Sequence, residues 1–204
     1  MPHFELETSL APARVCGVDE AGRGPWAGPV VAAAVLFQGT HEIPSGLNDS
    51  KKLSRLAREQ LFTQLMQRGI AHGIGIASAH EIDRLNIWGA TQLAMRRAVA
   101  ALPLSPEIAL IDGKLHPKPF ACPTRAIIGG DGISLSIAAA SIVAKVTRDR
   151  MMDELAQLYP AYGFARHAGY GTQFHRDALA VHGPCPEHRR SYAPIRALLE
   201  TVAA

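Results

Sequence analysis

Residues 17–35 of this 204-residue chain read GVDEAGRGPWAGPVVAAAV, two runs of small and apolar residues separated by a segment rich in glycine and proline. Short valine-rich runs with turn residues between them are typical of a β-hairpin, so we predict strands at 13–22 and 28–37. Asp19 and Glu20 lie side by side near the end of the first strand. Neighbours on a regular strand point to opposite faces, but a break after Glu20 would let both carboxylates serve one site. The alternative is a pair of solvated charges at a strand terminus.

The rest of the chain continues this mixture of strands and helices. Apolar periodicity and end signals predict three helices, at 54–69, 85–102 and 134–159. Short apolar runs predict three further strands, at 71–78, 107–114 and 124–131. Ser78 and Glu81 have the spacing of a capping box. We therefore expect an α/β fold in which residues 1–160 form a mixed central sheet flanked by helices, and residues 161–204 form a small C-terminal part with one or two helices.

Composition limits the class of protein without deciding it. The chain is 48% hydrophobic and 19% charged, so it can bury a sizeable core. No run approaches the roughly 18 apolar residues of a membrane span and no signal peptide is recognisable, so we expect a cytoplasmic protein without membrane contact. The net charge of +3 permits a polyanionic partner without requiring one. The three cysteines are far apart, which argues against a disulfide framework and a zinc site.

Four acidic residues lie where strands are predicted to end. Asp112 and Asp131 each end an apolar run, and acids at the ends of neighbouring strands tend to converge at one edge of a sheet. Convergent carboxylates repel one another unless a cation lies among them, and oxygen ligands favour Mg²⁺ or Mn²⁺ over zinc. The sequence therefore predicts a site for two divalent ions formed by Asp19, Glu20, Asp112 and Asp131. Asp149, farther along the third predicted helix, is the alternative to Asp131, but it lies about 27 Å from Asp131 at the usual rise per residue, so the two cannot serve one metal pair.

The glycine-rich segment 22–28 has two interpretations. It lacks the Gly-Lys-Ser/Thr of a phosphate-binding P-loop, and a strand follows it instead of a helix, so a nucleotide cofactor is not predicted. Its glycines would let the backbone approach a ligand closely while Arg23 supplies charge. A plain tight turn between two strands explains the same glycines.

The third predicted helix carries a polar stripe on an apolar background. Its members are spaced by seven, four and three residues: Ser134, Ser141, Lys145 and Arg148. The first half of this helix is too apolar for a surface helix, which favours phosphate contact by Ser141 and Lys145 over a solvated face. Four histidines farther along fit no usual zinc spacing: His167, His175, His182 and His188. We expect surface or capping roles for them, with His175 as the one candidate for a position near the site.

Several blocks of the chain resemble, in order and spacing, those of bacterial type 2 ribonucleases H (ribonuclease HII), from about Val15 to Ile195. The blocks are GVDEAGRGPWAGPVVAAAV, NDSKKLS, LIDGK, GGDGISLSIAAASIVAKVTRDR, YGFARHAGYGT and GPCPEHRRSYAPI. The resemblance implies the ribonuclease H-like fold and a monomeric endonuclease. It also implies cleavage of the RNA strand of RNA/DNA hybrids and cleavage at single ribonucleotides in duplex DNA, giving 5′-phosphate and 3′-hydroxyl ends.

The same resemblance assigns roles to individual residues. It makes the four acids the ligands of catalytic Mg²⁺ or Mn²⁺, and it makes Gly22, Arg23 and Gly24 the loop that recognises the ribose 2′-hydroxyl. Tyr170 matches a tyrosine that packs against the neighbouring sugar. Residues near the substrate phosphates would be Lys51 or Lys52, Ser141 and Lys145.

The chain departs from the family pattern at three places. Gly132 and Ile133 replace the usual Ala-Lys, so the phosphate contact of that lysine is lost or supplied elsewhere. Lys114 replaces a common asparagine. Trp26 replaces a smaller apolar residue or a tyrosine, and we favour core packing over a substrate-facing wall for its ring.

Two other classes of function remain open at this stage. A metal-dependent DNA nuclease or integrase-like enzyme also needs clustered acids, and it would cut an all-DNA duplex. A non-catalytic nucleic-acid-binding module would bind through the basic C-terminal part without magnesium-dependent cleavage.

Overall fold

The structure is a computed structural model that describes residues 1–114 and 117–203. Its sheet has five strands in the order β3-β2-β1-β4-β5. The strands are β1 (Val15–Ala21), β2 (Val30–Leu36), β3 (Ala71–Ala77), β4 (Ile108–Asp112) and β5 (Thr124–Ile127). Strand β1 pairs antiparallel with β2 and parallel with β4, while β3 is antiparallel to β2 and β5 is parallel to β4. The predicted hairpin and the mixed sheet are confirmed.

Helices cover both faces of this sheet. They are α1 (Glu5–Thr8), α2 (Arg55–Gln67), α3 (Ala79–Ala100), α4 (Leu135–Leu158), α5 (Phe164–His167), α6 (Gln173–His182) and α7 (Ala193–Ala203). Helix α3 packs on one face, and α4 packs on the other with α2 behind it. None of the helices in the described ranges is both long enough and apolar enough to cross a lipid bilayer.

Glycines allow the two large helices to lie directly on the sheet. A Cβ at Gly17 would lie 2.2 Å from the backbone of Ile137 in α4. A Cβ at Gly75 would lie 2.0 Å from the carbonyl oxygen of Ala94 in α3. Interiors are close-packed, so the absence of these side chains sets the distance between helix and sheet. The first half of α4 is buried as its composition predicted.

Helix α3 begins earlier than predicted and is interrupted once. The capping box of Ser78 and Glu81 is confirmed, and the helix starts directly after Ser78. Asn86 has non-helical backbone angles, φ 54° and ψ 172°, and its side chain accepts hydrogen bonds from the N–H groups of Trp88 (2.9 Å) and Gly89 (3.1 Å). Asparagine tolerates a positive φ and is a favoured N-cap, so a second helical segment starts there.

The predicted end of the last strand was wrong. Strand β5 ends at Ile127, because Gly129 turns the chain with φ 65°, and Asp131 lies in a short 3₁₀ turn at 130–132. In α2, Leu61 and Leu65 are buried, whereas Leu56, at helical spacing from them, is 69% exposed.

The prediction of surface or capping roles was wrong about a surface position for two of the four histidines. His175 and His188 are buried, and the ring of half-buried His167 stacks on His175 with centroids 4.7 Å apart. Nδ1 of His175 donates to the carbonyl oxygen of Tyr170 (3.0 Å), so Nε2 accepts from Nε2 of His188 (2.9 Å). Nδ1 of His188 in turn accepts from the N–H of Cys185 (3.0 Å). Both rings are therefore neutral, each with a fixed tautomer.

These histidines predict a specific loss of stability in mild acid. Burial, reinforced by His175, lowers the pKa of His188 to about 4. The unfolded chain takes up this proton near pH 6.5, so the stabilisation is complete above about pH 6.5 and is lost as the pH falls toward 4. We expect His188→Gln to reduce the stability difference between pH 7.5 and 4.5 by up to about 3 kcal/mol in urea unfolding. Exposed His182→Gln is the control, and equal pH dependence in all three proteins would contradict this.

Candidate active site

Three carboxylates converge at the end of the sheet. In the described part of the chain, Asp19, Asp112 and Asp131 each offer an oxygen within 4.8 Å of the others. The parallel register of β1 and β4 pairs Val18 with Ile111, which brings the next residues, Asp19 and Asp112, side by side. The turn at 130–132 adds Asp131, and the N–H of Gly130 donates to Oδ1 of Asp112 (2.7 Å). Strand ends and one turn therefore build the site.

The electrostatics of this cluster favour a bound cation. Burial and the neighbouring Glu20 and Asp112 carboxylates raise the pKa of Asp19 well above its usual value. Burial and Asp131 likewise raise the pKa of Asp112. The ammonium of Lys51 lies 3.2 Å from Oδ2 of Asp131 and balances only part of this charge. Clustered, partly desolvated oxygen ligands fit a hard divalent cation such as Mg²⁺ or Mn²⁺.

Glu20 lies in the same pocket but outside the tight group of three. Its Oε1 is 3.3 Å from Nη1 of Arg23. Burial raises the pKa of Glu20, although the charge of Arg23 opposes this. The pocket has a volume of about 280 Å³. It is lined mainly by charged residues and by the start of the glycine-rich segment 22–28, which we call the glycine loop: Asp19, Glu20, Ala21, Gly22, Arg23, Gly24, Ser50, Lys51, Asp112, Lys145, Arg148 and Tyr170.

Asp149 lies on α4 and is not part of this acidic group. Its Oδ1 accepts from the ammonium of Lys145 (2.6 Å), and its Oδ2 lies 3.9 Å from Arg58. Arg58 also donates to the carbonyl oxygens of Ser50 (2.9 Å) and Leu53 (2.7 Å). Asp149 therefore belongs to a network that holds the segment carrying Lys51.

Two buried arginines hold the glycine loop in place through hydrogen bonds to backbone carbonyls. Arg189 is fully buried and donates to the carbonyl oxygens of Gly22, Arg23 (2.9 Å) and Gly28 (2.9 Å). Arg148 donates from Nε to the carbonyl oxygen of Pro29 (3.0 Å). The Nε of Arg148 would lie 2.0 Å from a Cβ at residue 22, and Gly22 has φ 94°, so only glycine fits there.

The two guanidinium groups carry charge into the protein without a carboxylate partner. Neither makes an ion pair within 4.0 Å among the described residues, and backbone carbonyls satisfy their donors instead. Burial lowers the pKa of Arg148 to about 10 and also lowers that of Arg189. Sequence reasoning placed Arg148 in a polar stripe and missed Arg189. Burial of an arginine depends on tertiary packing, and no local sequence pattern indicates it.

The residues expected near phosphates occupy different environments. Lys51 and Lys52 are exposed, with side chains 77% and 63% accessible, whereas Lys145 is partly buried beside Asp149. Ser141 is buried, where its hydroxyl donates to the carbonyl oxygen of Ala138 (2.9 Å) and accepts from the N–H of Ser50 (3.3 Å). Ser141 thus supports the segment carrying Lys51 from beneath.

Tyr170 and Trp26 are the aromatic residues at the glycine loop. Tyr170 is 51% exposed, and its Cε1 is 3.5 Å from the position of a Cβ on Gly24. The N–H of Tyr170 donates to the carbonyl oxygen of His167 (2.9 Å). The indole of Trp26 packs on Gly171, where a Cβ would lie 2.2 Å from the ring. The favoured packing interpretation of Trp26 agrees with this contact.

Comparison with known proteins gives the family. Residues 16–195 match the family model of Ribonuclease HII. A Ribonuclease HII of Parvibaculum lavamentivorans is 60% identical over 197 residues, which cover 96% of this chain and 72% of the relative. A Ribonuclease HII of Burkholderia pseudomallei is 55% identical over 188 residues, covering 92% and 87% respectively.

Solved structures agree with this match. Ribonuclease H2 from Pyrococcus horikoshii OT3 superposes with a TM-score of 0.78 at 27% identity, covering 93% of this chain and 99% of that one. The RNase HII of Archaeoglobus fulgidus, solved in complex with PCNA, gives 0.71 at 26% identity, covering 88% and 95%. With its mixed sheet, its acidic cluster and its close bacterial relatives, the chain belongs to the ribonuclease HII family of nucleases.

Proposed function

We propose that this nuclease cuts the RNA strand of RNA/DNA hybrids and also cuts at single ribonucleotides embedded in duplex DNA, leaving 5′-phosphate and 3′-hydroxyl ends. The observation that carries the proposal is the position of the acidic cluster directly beside a glycine loop whose carbonyls are held by buried arginines. The first feature suits phosphodiester hydrolysis, and the second suits recognition of a sugar.

The four acids are the proposed metal ligands. Asp19, Asp112 and Asp131 already bring their oxygens together, and Glu20 lines the same pocket. In such sites Mg²⁺ or Mn²⁺, bound as a pair, supplies charge neutralisation, activation of water and stabilisation of the leaving oxygen. The protein holds the ligands on two strand ends and one tight turn, so they need little rearrangement on binding.

The glycine loop is the segment proposed to recognise the 2′-hydroxyl of the ribose. The 2′-hydroxyl both donates and accepts a hydrogen bond, so exposed backbone groups can distinguish RNA from DNA at one position. Arg189 fixes the carbonyls of Gly22 and Arg23, which leaves the loop preorganised beside Asp19 and Glu20. A Cβ at Gly24 would lie 3.5 Å from Cε1 of Tyr170, so the bare backbone of Gly24 and the exposed ring form one continuous surface against which a sugar can pack.

Cationic side chains on the rim are the proposed phosphate contacts. Lys51 and Lys145 line the pocket. The ammonium of Lys52 lies 3.9 Å from the position of a Cβ on Gly132. Lys52 is therefore placed to supply the charge that the usual lysine after the fourth aspartate would bring, since this chain has Ile133 there.

The proposal is tested with three duplexes of one sequence: an RNA/DNA hybrid, a DNA duplex with one ribonucleotide, and an all-DNA duplex. We expect cleavage of the first two with Mg²⁺ or Mn²⁺ and none in excess EDTA. Cleavage of the all-DNA duplex would favour a DNA nuclease. Binding without metal-dependent cleavage would favour a non-catalytic binding module, and either result would overturn the proposal.

Replacing Tyr170 by alanine tests ribose recognition. The ring is half exposed beside Gly24, so its loss removes contact with a sugar and not core packing. We expect cleavage at a lone ribonucleotide to fall about tenfold, roughly the value of one ring-stacking contact, and hybrid binding to weaken about twofold. An equal loss on both substrates with a lowered melting temperature would show that Tyr170 only packs the C-terminal part.

A further inference from the structure

One exposed aromatic side chain, Trp88, lies next to the pocket and contacts Arg23 of the glycine loop. Trp88 in α3 is 52% exposed, and the guanidinium carbon of Arg23 lies 4.6 Å from the centroid of its ring. On its other side Arg23 contacts Glu20, with Nη1 and Oε1 3.3 Å apart. The guanidinium is therefore held between an indole face and one of the four acids.

The backbone of Arg23 is fixed independently of Trp88. Its carbonyl oxygen accepts hydrogen bonds from Arg189 (2.9 Å) and from the hydroxyl of Tyr192. The remaining freedom lies in the long side chain, which is 36% exposed. Trp88 and Glu20 restrain this side chain. Loss of Trp88 therefore leaves the guanidinium held only by its ion pair with Glu20, and a single ion pair near the surface contributes little.

The position of Trp88 depends on the interruption of α3. Asn86 adopts φ 54° and ψ 172°, a backbone region that residues other than glycine rarely occupy, and its side chain caps the N–H groups of Trp88 and Gly89. A continuous helix would rotate Trp88 to another direction. The unusual backbone is thus what turns the indole toward Arg23.

We propose that Trp88 is a positioning residue for Arg23: its ring holds the guanidinium where it contacts Glu20 and keeps donors free for a backbone phosphate of the nucleic acid. The inference rests on the proposed function for its substrate. An arginine presents five donors, and one of them is used by Glu20 in this structure. Holding the side chain in place lowers the conformational entropy lost when a phosphate binds. We therefore expect Trp88 to affect the affinity for the nucleic acid and not the rate of the chemical step.

A double-mutant cycle tests this inference. We expect Trp88→Ala to raise KM for the hybrid about five- to tenfold with kcat changed less than twofold, and Trp88→Phe to retain most of the affinity because a phenyl ring still stacks on a guanidinium. In the Arg23→Ala background, Trp88→Ala should have no further effect. Leu158→Ala, which removes an exposed apolar side chain at the C-terminal end of α4 and outside the pocket lining, is the control and should match the wild type.

The same cycle measured as Kd for the uncut hybrid in EDTA keeps the two proposals separate. If the wild type binds but does not cut, the proposed function fails while the cycle still reports on Trp88. Additive effects of the two substitutions would mean that Trp88 contacts the nucleic acid by itself, and would overturn the inference. Unchanged KM and Kd in Trp88→Ala would overturn it, as would a loss in Trp88→Ala and Trp88→Phe that follows an equal fall in melting temperature.

Discussion

Asp19→Asn is expected to lower the cleavage rate by about 10³-fold or more, since a metal site supplies several kcal/mol of transition-state stabilisation. Asp19 is 4% exposed and lies at the centre of the acidic group, so asparagine removes a ligand charge without changing the size of the side chain. The lysines and the glycine loop remain, so binding of the hybrid in EDTA should change less than about threefold. Single-turnover rates and Kd measure the two effects.

The same variant should fold at least as stably as the wild type when divalent ions are absent. Burial and neighbouring carboxylates raise the pKa of Asp19 well above its usual value, so a negative charge at this position costs more free energy than it would in water. Asparagine removes that charge, and we expect an equal or higher melting temperature in EDTA. The exposed carboxylate Asp177 supplies the control, Asp177→Asn. Near-normal turnover in Asp19→Asn would contradict the assignment of the metal ligands.

Asp131→Asn and Asp149→Asn should differ by at least about tenfold in rate. Asp131 contributes an oxygen to the acidic group, so we expect its replacement to cost about 10²-fold or more. Asp149 acts only through Lys145 and Arg58, which hold the segment carrying Lys51, and we expect less than about fivefold. Rates of hybrid cleavage at saturating Mg²⁺ decide the order. A larger loss for Asp149 would refute the position of the fourth ligand.

The sequence predicted the sheet and the acids because both follow from local rules. Valine-rich runs separated by turn residues specify the hairpin, and acids that follow such runs lie at strand ends, where neighbouring strands bring them together. Asp131 needed more: it reaches the group through a turn set by Gly129, which ends the strand at Ile127, before its predicted end.

Most of the features that sequence reasoning missed depend on contacts between distant segments. Arg148, Arg189 and the buried histidines look like surface residues by composition, because charged and polar side chains are mostly exposed. Their burial is possible only because backbone carbonyls and ring nitrogens elsewhere in the chain satisfy their donors. The interruption at Asn86 is local instead: its side chain caps the N–H groups of Trp88 and Gly89, and the apolar spacing that predicted the helix does not report such a cap.

The hydrogen bonds of Arg189 to Gly22 and Arg23 join segments separated by more than 160 residues in sequence. During synthesis, the strands that carry Asp19, Glu20 and Asp112 leave the ribosome long before Arg189 does. A nascent chain can therefore assemble an acidic cluster before it has a shaped sugar-binding loop. Such long-range closure comes late in folding. The C-terminal part must therefore dock before Arg189 can fix the loop that is proposed to recognise the ribose.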